Sequence, residues 1–193
     1  MSIEYYNKNA KEFFINTVKA DMSSLYVFFL QYIKSKGHIL DLGCGSGRDS
    51  LFFINNGYKV TAVDGSKEMA KLGSKFIKQP VLNIKFQEIN FFEEFDGVWA
   101  CASLLHINDS EIDDVLNRIY NSLKPKGIFY SSFKYGDKKE WRDGRYFRYH
   151  NEKSFNKLIQ NHKGFELIKL DKTKDVRENR PNEYWLNAWL IKK

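Results

Sequence analysis

A chain of 193 residues with 42% hydrophobic and 28% charged side chains can fill one good core but not two comfortable domains, and wholesale disorder is excluded. The net charge of +7 is uneven: residues 151–193 carry ten basic against six acidic side chains, and five of the seven arginines fall between Arg142 and Arg180. No apolar run approaches the ~20 residues of a membrane helix, the start Met1–Tyr6 lacks a signal pattern, and Cys44 and Cys101 form no paired framework, so a cytoplasmic protein is expected.

Residues 1–36 read as a helical cap. Ala10, Phe13, Phe14, Thr17 and Val18 recur at roughly helical spacing, and Leu25, Phe28, Phe29, Tyr32 and Ile33 form a second stripe that Gly37 ends. Tyr5 and Tyr6 precede these stripes and are placed to cap a pocket. The first strand is expected at 38–42. It breaks into Gly43, Gly45 and Gly47, and a helix over about 46–55 follows. Asn56-Gly57 is a turn pair. A second strand ends at Asp64, and Ser66 is placed to cap a helix carrying Met69, Leu72 and Phe76. A third strand is expected at about 83–87 and a nearly all-apolar fourth at 95–101. Asp109 or Ser110 is expected to cap a helix with Ile112, Val115, Leu116, Ile119 and Leu123 on one stripe. Lys124-Pro125-Lys126-Gly127 is expected to stop it and turn into a fifth strand at 128–133.

This alternation predicts a parallel sheet with helices on both faces. The tail departs from it. A helix at 154–161 is followed by strands at 165–170 and 185–191, joined by a charged loop. Two strands joined without a helix should pair antiparallel.

Asp41 stands two places before Gly43, and the glycines follow at every second position. Glycine tolerates φ > 0 and lets a ligand approach bare backbone, while the helix start behind it offers free N–H groups. The dinucleotide fingerprint places its third glycine three residues after the second; here the interval is two. A compact zwitterion with a ribose suits this turn better than a pyrophosphate. Asp64, 23 residues after Asp41, can take both ribose hydroxyls. No His/Cys/Asp cluster has metal-ligand spacing.

From about Tyr5 to Lys192 the chain resembles the class I S-adenosylmethionine-dependent methyltransferases. Asp41-Leu42-Gly43-Cys44-Gly45-Ser46-Gly47 matches that family's first motif and Val63-Asp64 its second. Phe95–Val98 through Ser103–His106 resembles the fourth strand and its loop, and Leu123–Gly127 resembles the family's Leu-Lys-Pro-Gly-Gly, with Lys126 replacing a glycine. The resemblance implies one α/β domain: a doubly wound, mostly parallel seven-stranded sheet of order 3-2-1-4-5-7-6, last strand antiparallel. It implies a cofactor grip of Asp41, Gly43, Gly45, Asp64 and Gly65, with Ser46 and Arg48 secondary. Arg48 can pair with the cofactor carboxylate or with Asp49. Tyr6 and Phe14 would cover the cofactor, and Ser103 would lie near its methionine part. Asn90 stands where the family often has an acid near the adenine, and its side-chain oxygen can accept the same bond.

His106 follows the fourth strand at the carboxyl edge, where ligands gather in open α/β sheets. It is either a general base or a histidine bonded near the next helix. Residues 135–150 and 171–182 read as insertions over the site. They offer Arg142, Arg145, Tyr146 and Arg177 for substrate recognition, or else a salt-bridged loop pair with Asp143, Asp175 and Glu178. Ala100–Ser103 is not the Asn/Asp-Pro-Pro-Tyr/Phe motif of enzymes acting on base amines. The expected function is methyl transfer from S-adenosylmethionine to a small polar or anionic acceptor. The alternatives are an RNA or tRNA methyltransferase using the basic tail, and a cofactor-binding module without chemistry.

Overall fold

The computed structural model describes residues 2–177 and 180–193. Five apolar segments lie parallel: His38–Leu42 (β1), Lys59–Val63 (β2), Val81–Leu82 (β3), Phe95–Ala100 (β4) and Leu123–Tyr135 (β5). Helices cover both faces, so the inner strands are apolar to both sides at Ile39 and Leu40 and at Val98 and Trp99. On one face Ser23–Leu30 (α3) and Arg48–Asn55 (α4) bury Leu25, Tyr26, Phe29 and Phe53 against Ile39, Trp99 and Tyr130, with Lys67–Ile77 (α5) alongside. On the other, Ile112–Ser122 (α6) and Glu152–Gln160 (α7) pack Val115, Ile119 and Phe155 over Leu40, Val98 and Phe129. Trp99 and Tyr130 stack with centroids 3.9 Å apart.

The expected order is present, with two strands added. Tyr184–Lys192 (β9) lies antiparallel between β5 and Phe165–Lys174 (β8), giving the path β3-β2-β1-β4-β5-β9-β8. Beyond it, Lys139–Arg142 (β6) and Arg145–His150 (β7) form a hairpin within the stretch expected to be an insertion. Its turn is Asp143-Gly144, with φ of 52° and 73°, the left-handed pair that two-residue hairpins require. β7 runs parallel to the last residues of β5, so the sheet has nine strands among the described residues.

Several boundaries move for local reasons. The third strand ends at Leu82, because the Asn83 amide turns to the Asp64 carbonyl at 2.9 Å and Phe86–Glu88 forms a 3-10 turn. Asp109 does not cap α6; its carboxylate is taken by Arg148 and Lys139. Lys124–Gly127 does not leave the sheet but passes through β5, where the pairing with β4 shifts register and Lys126 takes φ 65°. The first expected helix is two, Ser2–Lys8 (α1) and Ala10–Thr17 (α2), broken where the Asn9 side chain caps back to the Tyr5 carbonyl.

Candidate active site

β1 and β2 end side by side, and their loops form one unit. The amides of Gly43 and Cys44 both donate to the Val63 carbonyl, at 2.9 and 3.0 Å. Gly45 N–H then donates to Asp64 Oδ2 at 2.9 Å, and Ser66 N–H to Asp64 Oδ1 at 2.8 Å. Gly43 has φ 79°, and a Cβ there would meet Ser103 Cβ at 2.6 Å. Gly47, also at φ 79°, would push a Cβ to 2.6 Å from Ile77. Gly45 differs: a Cβ would meet nothing nearer than Phe13 at 3.7 Å, because this glycine faces a cavity. Burial raises the Asp64 carboxyl to about 6, against the two N–H bonds that pull it down.

The cavity has a volume of about 660 Å³. Its floor is the carboxyl edge of the sheet: Gly43, Gly45, Ser46, Asp64, Gly65 and Ser103. Helices α1 and α2 cover it with Tyr5, Tyr6 and Phe13, and the β6–β7 hairpin closes one side.

His106 joins the cap to the hairpin. Its Nδ1 lies 2.7 Å from the Tyr146 carbonyl oxygen, which only accepts, so Nδ1 carries the proton. Nε2 therefore presents a lone pair, and the Tyr6 hydroxyl donates to it at 2.7 Å. Burial and the nearby Arg145 and Lys134 charges hold His106 down, at about 4, although the Tyr146 carbonyl bond works the other way. The ring is neutral at pH 7. Burial raises Tyr6 to about 12, so its hydroxyl keeps its proton. Tyr146 N–H also donates to Ser2 Oγ at 3.2 Å, and Arg145 stacks over Tyr5 with its guanidinium carbon 3.9 Å from the ring centre.

Most residues singled out from the sequence border this one cavity: Tyr6, Gly43, Gly45, Ser46, Arg48, Asp64, Gly65, Ser103, His106, Arg142, Arg145, Tyr146 and Arg177. Three do not. Asp41 lies beneath the turn and accepts the Ser50 hydroxyl at 2.6 Å; burial first, then the Asp49 charge, pushes its carboxyl up. Asn90 is exposed and off the cavity, where Phe86, Gln87 and Glu88 take the wall instead. Phe14 packs on Phe76, and its neighbour Phe13 faces inward. Arg48 takes the second of its two expected partners, with Nε and Nη2 on Asp49 at 2.6 and 2.9 Å. Asp49 also accepts Tyr26 at 2.5 Å and Trp99 at 2.8 Å. Arg177 is likewise bidentate to Asp175, at 2.8 and 2.5 Å. Glu178 lies outside the described residues.

Sequence reasoning passed over Lys134 and Asn187, which face the cavity from the ends of β5 and β9. Lys134 is buried, paired with Glu183 and 5.5 Å from the Trp185 ring. A lysine closing an apolar strand at the carboxyl edge was the available signal. Among the described residues no acidic, histidine and cysteine group could hold a metal, and no helix is long and apolar enough to cross a membrane.

Residues 39–127 match the family described as "Methyltransferase domain". The Bacillus subtilis protein YqeM is 33% identical over 113 residues, covering 53% of this chain and 46% of that one. A ubiquinone biosynthesis O-methyltransferase of Coxiella burnetii is 31% identical over 110 residues, again 53% of this chain and 46% of the relative. The chain thus aligns with less than half the length of these relatives. Among solved structures, the Burkholderia thailandensis 1,6-didemethyltoxoflavin-N1-methyltransferase, with its substrate and S-adenosylhomocysteine bound, superposes with a TM-score of 0.78. It is 21% identical and covers 100% of this chain and 86% of its own. The [4+2]-cyclase SpnF superposes equally well, at 0.78 and 15% identity over 99% of this chain and 95% of its own, so the fold alone does not fix a reaction. Over residues 39–127 the chain is thus similar to methyltransferases, and its sheet order is the one that this resemblance implied.

Proposed function

We propose that this protein transfers the methyl group of S-adenosylmethionine to a small polar or anionic acceptor. The observation that carries the reading is the Gly45–Asp64 unit opening into a cavity that the chain's own cap and hairpin cover. Cavities of this size take drug-sized ligands, with room for cofactor and small acceptor. Two of the cavity arginines, Arg48 and Arg177, are also bound to aspartates and are not free for a phosphate backbone. The free thiols Cys44 and Cys101 suit a cytoplasmic setting.

The residues present fit the cofactor. Each Asp64 oxygen accepts one backbone N–H and keeps a lone pair for a ribose hydroxyl. Gly45 leaves room where any side chain would intrude. Ser46, Gly65 and Ser103 complete the floor, Tyr6 covers it, and Gln87 replaces Asn90 as the polar group on the adenine side. Bound S-adenosylmethionine supplies an electrophilic methyl on a sulfonium, and the protein's part is to orient the acceptor in line with it. Arg142, Arg145 and Tyr146 hold the acceptor, and Arg177, held by Asp175, lines the wall beside it. His106 is the base: Nδ1 is fixed as donor, so Nε2 is the position that takes a proton, by way of the Tyr6 hydroxyl that already points at it.

Calorimetry with S-adenosylhomocysteine tests the cofactor. Saturable binding to the wild type, lost in Asp64→Ala, is expected; no binding to the folded wild type overturns the reading. Transfer of labelled methyl from the cofactor to a small-molecule panel then separates an enzyme from a module that only binds.

A further inference from the structure

We propose that Arg142 and Arg145 form a clamp for a carboxylate on the methyl acceptor, an inference that rests on the methyl-transfer reading above. Five arginines border the cavity. Arg48 is bound to Asp49 and Arg177 to Asp175, and Arg180 reaches Glu183 at 3.2 Å. Arg142 and Arg145 differ. Their ion-pair contacts among the described residues are Glu140 at 3.8 Å and Asp143 at 3.7 Å, both too long for a hydrogen bond.

The hairpin sets these two cations directly opposite each other, as the cross-strand pair that flanks the Asp143-Gly144 turn. Like charges in that position oppose folding unless an anion lies between them. Both guanidinium groups sit near the Phe147 ring, at 4.9 and 5.0 Å from its centre. Stacking on Phe147 and on Tyr5 uses the face of the Arg145 guanidinium; part of its N–H edge meets the Tyr6 hydroxyl, and the Nε–H is left over. The Arg145 side chain is only 13% exposed, and its Nε is buried with no hydrogen-bond partner. A buried donor left unmet carries a desolvation cost that a ligand can relieve.

The ligand chemistry follows from the donors. A guanidinium edge in an aromatic frame matches a planar group that accepts two parallel N–H bonds, which is a carboxylate. Arg142, more exposed at the hairpin tip, adds a second positive charge. Tyr5 and Phe147, already against the Arg145 guanidinium, offer apolar surface for the body of an organic acid. The acceptor class is therefore a small organic acid whose carboxylate docks at the hairpin, away from the Gly45–Asp64 floor.

The test titrates the full chain with benzoate, with its neutral isostere benzamide and with inorganic phosphate, each with and without S-adenosylhomocysteine, by calorimetry. Benzoate is expected to bind and benzamide not. Arg145→Met should weaken benzoate by at least roughly tenfold, the scale of a charged hydrogen bond, with S-adenosylhomocysteine affinity unchanged. Arg145 also supports the cap through Tyr5, so Arg142→Met, which leaves that stack intact, should weaken benzoate too. In a ¹⁵N spectrum the Arg145 Nε–H signal should move on adding benzoate. Equal binding of benzamide, preference for phosphate, or benzoate affinity unchanged in both variants overturns the clamp. If S-adenosylhomocysteine fails to bind while benzoate behaves as stated, the methyl-transfer reading falls and with it the assignment to a methyl acceptor, leaving a carboxylate site; the converse result removes the clamp alone.

Discussion

The Tyr6 hydroxyl meets His106 Nε2 at 2.7 Å while His106 Nδ1 holds the Tyr146 carbonyl at the same distance, so one imidazole fastens the first helix to the β6–β7 hairpin. A base and a structural clasp would fail differently. Replacing His106 by Ala is expected to lower kcat by about 10²–10⁴-fold, the range of a general base, with S-adenosylhomocysteine affinity nearly unchanged. A parallel fall in cofactor affinity and in melting temperature, measured on the same preparation, would assign the residue to the clasp alone.

Asp64 gives the cofactor step a pH signature. Its carboxyl is raised to about 6 by burial, and ribose hydroxyls bond best to the ionised form. Ionisation is complete above that value and lost below it. Affinity for S-adenosylhomocysteine should therefore be flat above about pH 7 and fall by roughly tenfold per unit below the Asp64 value. Asp64→Asn should weaken binding and flatten the profile. Calorimetry between pH 5 and 8 decides; an unchanged slope in the variant would place the titrating group elsewhere.

The glycines of the turn should separate folding from binding. Gly47→Ala combines φ 79° with a Cβ 2.6 Å from Ile77, so it should cost about 1–3 kcal/mol of stability. Gly45→Ala has open space ahead of it, so its melting temperature should fall less while cofactor affinity falls more. Thermal unfolding and ligand titration on the two variants check the contrast, and a matched loss of stability in both would refute it.

Asp49 is a buried charge between the sheet and helices α3 and α4. It receives Arg48, Tyr26 and Trp99. Asp49→Ala would strand Arg48, which is 19% exposed, without its counter-ion. Breaking such a pair costs about 3–5 kcal/mol. Chemical denaturation should show that loss, and a change under 1 kcal/mol would mean that water replaces the carboxylate.

Much of this site is local in the chain and so could be read from it. Strand, glycine turn and helix follow one another between His38 and Asn55, and the Asp64 position follows from the second strand's end. The Arg48–Asp49 and Arg177–Asp175 pairs are near neighbours in sequence, which is why the salt-bridged alternative was visible. What failed was direction and long-range placement. Asp41 has the family's identity, but strand alternation sets it on the face of Ile39, where Ser50 of α4 waits, and not toward the ligand. Asn90 lies just past the 3-10 turn, so the wall is reached by Gln87 instead. The Asp143-Gly144 pair between Arg142 and Arg145 was a hairpin signal in plain view. Its effect, two opposed arginines over Phe147, appears only when the strands are paired. The Tyr6–His106 bond spans 100 residues and has no local trace.

The late strand β9 has a consequence for synthesis. It is made after β8 yet lies between β8 and β5, with seven paired positions on β5 and nine on β8. Until residues 184–192 have left the ribosome, β5 presents an open strand edge and β8 has no partner. Such edges invite pairing with other chains. Asn187 and the Glu183 partner of Lys134 also arrive with this segment. The glycine turn and Asp64 are thus translated early, and the Trp185 and Asn187 side of their cavity is completed only when this segment arrives.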